Sequence, residues 1–443
     1  MEKLIQGVEK YKELILQAER HIWAHPETGY REVNTSKYME EKFEQMGYEL
    51  IRAGNIPGFY TVFDTGRPGP EVLIMGELDS LICPNHPESD PKTGYVHACG
   101  HHAQCAALLG IAAALKEPGA CDHLCGRIRL CAVPAEELIE IGYRTELKEK
   151  GIIKYFGGKG EFLYRGYFDG VDIAFMVHSS SAFGTQSGSV GCMAKTIHYK
   201  GLSAHAGGNP GAGINALYAA SQGLSAANAL RETFAEKDII RFHPIITHGG
   251  EAVNAIPELV TIESYVRGVS FEAIQKANKK INRALCGGAL SLGANVEIID
   301  MPGYAPLKND EGMIRLTKDA ADLVIPEESF YISPNPSSGS TDMGELCGLM
   351  PVIHPYSAGT QGSAHSASYY IADPEKACVK SAKLQLAMLY LLLKDNAARA
   401  KEIIDEFKPL FNSKEEYFSY IDSLFCDGDR ITYNEDDTAT VRL

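Results

Sequence analysis

His97, Cys99, His101 and His102 lie within six residues of one another. Thiol and imidazole together make a borderline-soft donor set suited to zinc and its neighbours. The same stretch also reads as a helix start, with Cys99 in the core and the histidines capping or solvated, because a single Cys-Gly-His lacks the paired spacing of dedicated zinc motifs. A second group, Pro134-Ala-Glu-Glu137, sets two carboxylates side by side where an apolar run ends. Their repulsion costs free energy unless cations or protons offset it, and a metal ligand beside a general base is one such arrangement. A solvated helix N-terminus, where acidic side chains are favourable, is the other. His178 ends a further apolar run and His365 lies in a Gly/Ser loop, so Cys99, His101, Glu137, His178 and His365 are candidate ligands. All five fall at strand ends or adjoining loops. That joint placement carries the metal reading, since unrelated surface histidines need not gather at strand termini.

The elements that must position these residues are legible from periodicity. Leu4, Val8, Tyr11, Leu14, Ile15, Ala18 and Ile22 recur at helical spacing, and after the Pro26-Glu-Thr-Gly29 turn a second helical stretch begins near Ser36. Strands are predicted at 59–63, 71–75, 126–133, 171–177 and 349–353, with helices at 106–115 and from Pro374 to about Lys394. The continuous apolar run at 71–75 suits a strand covered on both faces. Strands alternating with helices imply an α/β sandwich, a class whose ligand sites lie at strand ends. Between Cys192 and Asp300 the order becomes strand, helix, strand, strand, helix, strand, the ferredoxin-like β-α-β-β-α-β motif. The expected organisation is therefore a two-domain α/β protein. An α/β/α domain at 1–191 and 303–443 is interrupted by an inserted α+β ferredoxin-like domain at 192–302.

Composition narrows the function classes. Of 443 residues, 45% are hydrophobic and 22% charged, which is a soluble globular composition rather than a disordered or fibrous one. Lys and Arg number 42 against 57 Asp and Glu, a net charge of −15, and such an acidic chain repels phosphate backbones and anionic lipid. No nucleic-acid partner and no membrane partner are expected. No apolar run approaches the roughly 18 residues of a membrane helix, and the N-terminal stretch lacks the apolar centre of a signal peptide. Eleven irregularly spaced cysteines do not form a secreted disulfide framework. The expected compartment is the cytoplasm.

In combination, His97-Ala-Cys-Gly-His101, Pro134-Ala-Glu-Glu137, Met176-Val-His178, Gly201-Leu-Ser-Ala-His205 and Val253-Asn-Ala-Ile-Pro257 resemble, in order and spacing, one known family over nearly the whole chain. It is the dinuclear-metal amidohydrolases and peptidases that include the aminoacylases, hippurate hydrolase and carboxypeptidase G. Gly157-Gly-Lys159, Gly339-Ser-Thr-Asp-Met343 and Ile353-His-Pro-Tyr356 are similar to the subgroup of p-aminobenzoyl-glutamate hydrolase and the β-alanyl-lysine-type dipeptidases. The resemblance implies two divalent ions, zinc or manganese, held by Cys99, His101, Glu137, His178 and His365, with Glu136 as general base. It implies that 1–191 and 303–443 form the catalytic domain and 192–302 a lid and dimerisation domain, that His205 stabilises the oxyanion from the partner subunit of a homodimer, and that Asn254 and Arg267 bind the substrate's terminal carboxylate. Asp79 is a candidate to orient a ligating imidazole, or a buried carboxylate that only caps a turn.

Three departures accompany the resemblance. Glu77-Leu-Asp79 stands where the peptidase branches carry His-x-Asp, so one histidine ligand is absent. His102 replaces an acidic residue or Asn, which puts in doubt the hydrogen bond made there. Ser179-Ser-Ser181 follows His178 where many relatives have a nearby proline. The implied activity is hydrolysis of the amide of an N-acyl or N-aroyl amino acid, p-aminobenzoyl-glutamate-like. A dipeptidase of the same family and a catalytically inactive ligand-binding relative are the alternatives.

Overall fold

The opening helical stretch folds as two helices, α1 (Glu2–Lys10) and α2 (Lys12–Trp23), broken at Tyr11, and α3 (Val33–Gln45) follows the Pro26–Gly29 turn. The computed structural model describes residues 1–443 and divides them into two compact units. Unit one comprises Met1–Gly188, Lys308–Ser337 and Thr341–Lys414. Its centre is a six-stranded sheet in the order β1 (Ile51–Arg52), β2 (Phe59–Asp64), β4 (Arg127–Val133), β3 (Glu71–Glu77), β5 (Ile173–Phe175) and the short strand Val352–Ile353. The last four run parallel, whereas β1 and β2 add antiparallel at one edge. Every residue of β3 is buried, as its unbroken apolar run requires of a strand covered on both faces.

Over this sheet lies α4 (His101–Leu115), buried along its whole length. Its alanines let α1, α2 and the long helix Ser381–Glu406 approach closely, and together they form the main core. The helix starts at His101, five residues before the predicted Ala106, because Gly100 takes a left-handed conformation (φ 105°) and turns the chain into it. A side chain is excluded at Gly100, where a Cβ would stand 1.9 Å from Ser179 Oγ and 2.4 Å from Tyr369 Oη. Two further helices, α5 (Ile141–Glu149) and α6 (Gly158–Tyr164), follow the carboxyl end of β4. The strand expected at 349–353 is only Val352–Ile353, since Pro351 has no N–H to give a ladder.

Unit two comprises Ser189–Leu307, Ser338–Ser340 and Glu415–Leu443. Its antiparallel sheet has β6 (Gly191–Lys200) between β9 (Leu259–Gly268) and β10 (Asn295–Pro302), with β7 (Arg241–Phe242) and β8 (Ile245–His248) on the far side of β9. Pro244 splits into β7 and β8 what sequence predicts as one strand. Helices α7 (Ala216–Ala229) and α8 (Phe271–Leu290) pack on the face built from Ile197, Tyr199, Ile262 and Ile298. The helix and strand order is the ferredoxin-like one expected.

One part of the expected division needs correction. Residues 415–443, assigned by sequence to the catalytic domain, cluster with unit two. The physical reason is edge pairing. Cys426 and Asp300 exchange backbone hydrogen bonds of 2.7 and 3.0 Å, Arg430 N–H donates to Val296 O at 2.9 Å, and Ile431 enters the unit-two core. No helix of the chain is long and apolar enough to cross a membrane.

Candidate metal centre

The four parallel strands of unit one each deliver a polar residue from the carboxyl end. Glu77 ends β3 with Asp79 just beyond it, Glu136 and Glu137 follow β4, His178 follows β5, and His354 follows Val352–Ile353. Open α/β sheets place ligand sites at that edge. The Cys99–His101 segment enters from α4, and His365 from a loop.

Two ligand sets share the Cys99 thiol. Donor atoms of Cys99, His101 and His178 all lie within 4.8 Å of one another, as do those of Cys99, Glu137 and His365. Cys99 Sγ is 3.4 Å from His178 Nε2, and His365 Nε2 is 3.1 Å from Glu137 Oε1. His101 Nδ1 lies 3.0 Å from Asp79 Oδ1 and 2.9 Å from Asp79 O. Both of those oxygens are acceptors, so Nδ1 carries a proton and Nε2 faces the other donors; although burial opposes it, Cys99, Glu77 and Asp79 hold the metal-free imidazole well above its usual range, and a bound cation would take the place of the Nε2 proton. His178 is fixed the same way, with Nδ1 2.8 Å from Ser179 O. Asp79 Oδ2 also accepts the Glu137 N–H at 2.8 Å, so one carboxylate orients two of the predicted ligands.

A third group, Glu77, His101 and Glu136, adjoins these sets. His101 Nε2 is 3.2 Å from Glu77 and 3.8 Å from Glu136, yet it makes no hydrogen bond. An imidazole nitrogen and two carboxylates converging in a buried volume repel one another unless a proton or a metal cation stands among them. The donor set thus fits divalent metal by its own chemistry. Burial pushes the Glu136 carboxyl well above its usual range, and the Glu77 and Glu137 charges push it further. Burial also acts upward on Glu137, but His365 and His101 outweigh it and hold that carboxyl low. The Cys99 thiol is raised by burial and by Glu137, a state that a bound cation reverses.

Several residues of the site escaped the sequence reading. Glu77 occupies the place of the absent histidine, and its carboxylate is shared between fully buried Lys159 and Gln104, whose Nε2 donates at 2.8 Å. Lys159 also pairs with buried Asp342, whose carboxyl burial raises to about 6 despite the ammonium beside it. Burial would raise Glu77 too, but Lys159 and the facing imidazoles hold it below the carboxylate range. His354, its ring 5.6 Å from that of His178, is driven down to about 3 by burial and then by His178. His102 finds its acid elsewhere in the chain. Glu19 of α2 lies 3.2 Å from its Nε2, and although burial opposes it, the hydrogen-bonding Arg20 guanidinium and the adjacent His102 imidazole hold Glu19 at about 2.

The other predicted residues belong to unit two. His205 is exposed, and its Nδ1 accepts the N–H groups of Gly207 and Gly208 at 3.2 and 2.8 Å, which leaves Nε2–H as an outward donor. Asn254 adjoins it, accepting the Ala206 N–H at 2.9 Å through its carbonyl. Arg267 lies on β9 and donates to Ser340 Oγ at 3.1 Å.

An α/β sheet bearing a cluster of thiol, imidazole and carboxylate groups at its strand ends is the framework of a metallohydrolase. The chain belongs to peptidase family M20/M25/M40, whose model matches residues 73–390. It is accordingly a hydrolase of the amide and peptide bond class. It is 28% identical over 403 residues to the Xaa-Arg dipeptidase of Mus musculus, covering 88% of this chain and 85% of that one. Among solved structures, a dinuclear metal binding peptidase of Bacillus subtilis matches with TM-score 0.66 at 21% identity, over 87% of this chain and 99% of that one. The aminobenzoyl-glutamate utilization protein of Klebsiella pneumoniae matches with TM-score 0.62 at 20% identity, over 88% and 98%.

Proposed function

We propose that the chain is a two-metal amidohydrolase cleaving the amide of an N-acyl or N-aroyl amino acid of the p-aminobenzoyl-glutamate kind. The observation that carries this reading is the pair of ligand sets sharing Cys99, with Glu136 beside them and outside both. Cys99, His101, Glu137, His178 and His365 would hold the two divalent ions, zinc or manganese. When bound, these supply the Lewis acidity that lowers the pKa of the attacking water and polarises the scissile carbonyl. Glu136, its proton affinity raised by burial, takes the water proton and delivers it to the leaving nitrogen. Asp79 fixes the His101 tautomer and anchors Glu137. His205 offers its Nε2–H to the carbonyl oxygen as charge develops, reaching it from the partner subunit of a homodimer. Asn254 and Arg267 take the terminal carboxylate, for which a guanidinium fork is suited.

The homodimer reading is supported by the unit-two sheet. One edge is covered by residues 426–430, while β8 lies at the other with Ile245 and Ile246 exposed. Cytoplasmic residence is supported by eleven unbridged cysteines. A dipeptidase is the second reading, favoured by the named activity of the murine relative. Purified protein loaded with zinc or manganese decides between them on a panel of p-aminobenzoyl-glutamate, N-benzoyl and N-acetyl amino acids, and dipeptides with free amines. Faster turnover of the N-blocked substrates is expected. Hydrolysis of free-amine dipeptides alone overturns it in favour of the dipeptidase, and absence of both metal and turnover leaves an inactive binding relative.

A further inference from the structure

The turn bearing Glu136 and Glu137 is held in a backbone state that its residues do not favour. Ala135 has φ 58°, in the left-handed region that a Cβ disfavours, and it is fully buried. Such a residue persists only where its surroundings over-determine it. Here the surroundings come from two distant parts of the chain. Glu32, just after the Pro26–Gly29 turn, accepts the Ala135 N–H on Oε1 at 2.7 Å. Arg144 of α5, 1% exposed, gives its guanidinium to backbone oxygens: Nη1 to Phe156 O at 2.6 Å and Ala135 O at 3.3 Å, and Nη2 to Glu137 O. Two of those three carbonyls flank Glu136. Gly29 makes the approach possible, since a Cβ there would stand 2.4 Å from Arg144 Nη2 and 3.0 Å from Ala135 Cα.

We propose that Arg144 and Glu32 are positioning residues that clamp Ala135 in its left-handed state and thereby aim Glu136 and Glu137, without touching substrate. A buried arginine has a costly charge to solvate, and donating it to the carbonyls on either side of Glu136 while Phe156 O anchors the same guanidinium ties the strained turn to a fixed point of the chain. The clamp rests on the reading of Glu136 as base and Glu137 as ligand. It assigns a role to the Pro-Glu-Thr-Gly segment and to α5 that the reaction scheme leaves unused.

The test compares Arg144→Ala, Arg144→Lys, Gly29→Ala and Arg144→Ala/Ala135→Gly with wild type, all as full chains. Steady-state kinetics use whichever panel substrate wild type hydrolyses, and Co2+ affinity is read from visible absorption during titration of the metal-free proteins. Arg144→Ala is expected to lower kcat and weaken Co2+ binding, each on the order of 10–100-fold, with KM moved by less than about threefold. Arg144→Lys keeps one donor direction and should recover part of both losses. Glycine enters the left-handed region without a clamp, so adding Ala135→Gly to Arg144→Ala should raise kcat again by about threefold or more. A role confined to filling the core gives no such recovery. Wild-type kcat and Co2+ affinity in Arg144→Ala, or a folded double variant no faster than Arg144→Ala, overturns the proposal. If Arg144→Ala does not fold, Arg144→Lys and Gly29→Ala decide, and wild-type behaviour in both refutes it. A wild type inactive on the whole panel removes the functional reading instead, and the clamp then stands or falls on Co2+ affinity.

Discussion

Replacing Lys159 by Met should destabilise the metal-free protein far more than the loss of one surface lysine. Lys159, Glu77 and Asp342 are each 0% exposed, and a single ammonium serves both carboxylates. Removing one partner of a buried ion pair costs about 3–5 kcal/mol. Two acids lose the ammonium they share here, so the upper part of that range is expected, a large share of the roughly 5–15 kcal/mol that holds a typical domain together. The sign of the pH dependence follows. In wild type Glu77 is held below its ordinary range, so its contribution is present above that range and is lost only in acid. Without the ammonium, burial raises its folded-state pKa above the unfolded one, the native state keeps protons that the unfolded state releases, and stability falls as pH rises. The gap between variant and wild type should therefore widen from about pH 5 to pH 8. Urea midpoints followed by circular dichroism in chelator measure it, and the variant carrying Glu77→Gln and Asp342→Asn as well should regain most of the loss. A gap of less than about 1 kcal/mol at pH 8, or one that narrows with pH, refutes the reasoning.

Glu136→Gln should lower kcat by about 10²–10⁴ with metal stoichiometry unchanged, and elemental analysis beside the rate assay checks both parts. Cys99→Ala should lose metal and activity together, because the shared thiolate joins both ligand sets; normal metal content in that variant would make Cys99 a packing residue. Glu19, held at about 2, stabilises the fold above its ordinary range, and that stability disappears as pH falls from about 4.5 toward 2. Glu19→Gln should flatten this part of the acid-unfolding profile, measured by circular dichroism in metal-free protein. His205→Ala and Glu136→Gln chains, each nearly inactive alone, should regain activity when co-expressed as a heterodimer, and a confirmed but inactive heterodimer confines His205 to its own subunit.

What sequence reveals here depends on range. The Cys99–His101 spacing and the Glu136–Glu137 pair are local, and the strands feeding them are read from apolar runs that two-sided burial imposes on β3 and β4. The ferredoxin-like order is legible because β6, β9 and β10 alternate and α8 is strongly amphipathic. Lys159 could be quoted as part of a motif, but its partners stand 82 and 183 residues away. The acid for His102 sits in α2, and the clamp on Ala135 joins residues 103 positions apart. Periodicity carries no record of such pairings. Glu77 read as a missing histidine because only the fold shows Lys159 behind it.

The covering of β10 by residues 426–430 bears on biosynthesis. The chain leaves unit two at Leu307 and re-enters it for good only at Glu415, after roughly a hundred residues of unit one. At translation rates of roughly 5–20 residues per second, the β10 edge stands bare on the ribosome for on the order of ten seconds. A nascent chain stalled between these points presents an unpaired strand to its neighbours on a polysome, each with the same bare edge. Chaperone demand during synthesis should therefore be set by this interval, and fusions that delay release of the 415–443 segment lengthen it.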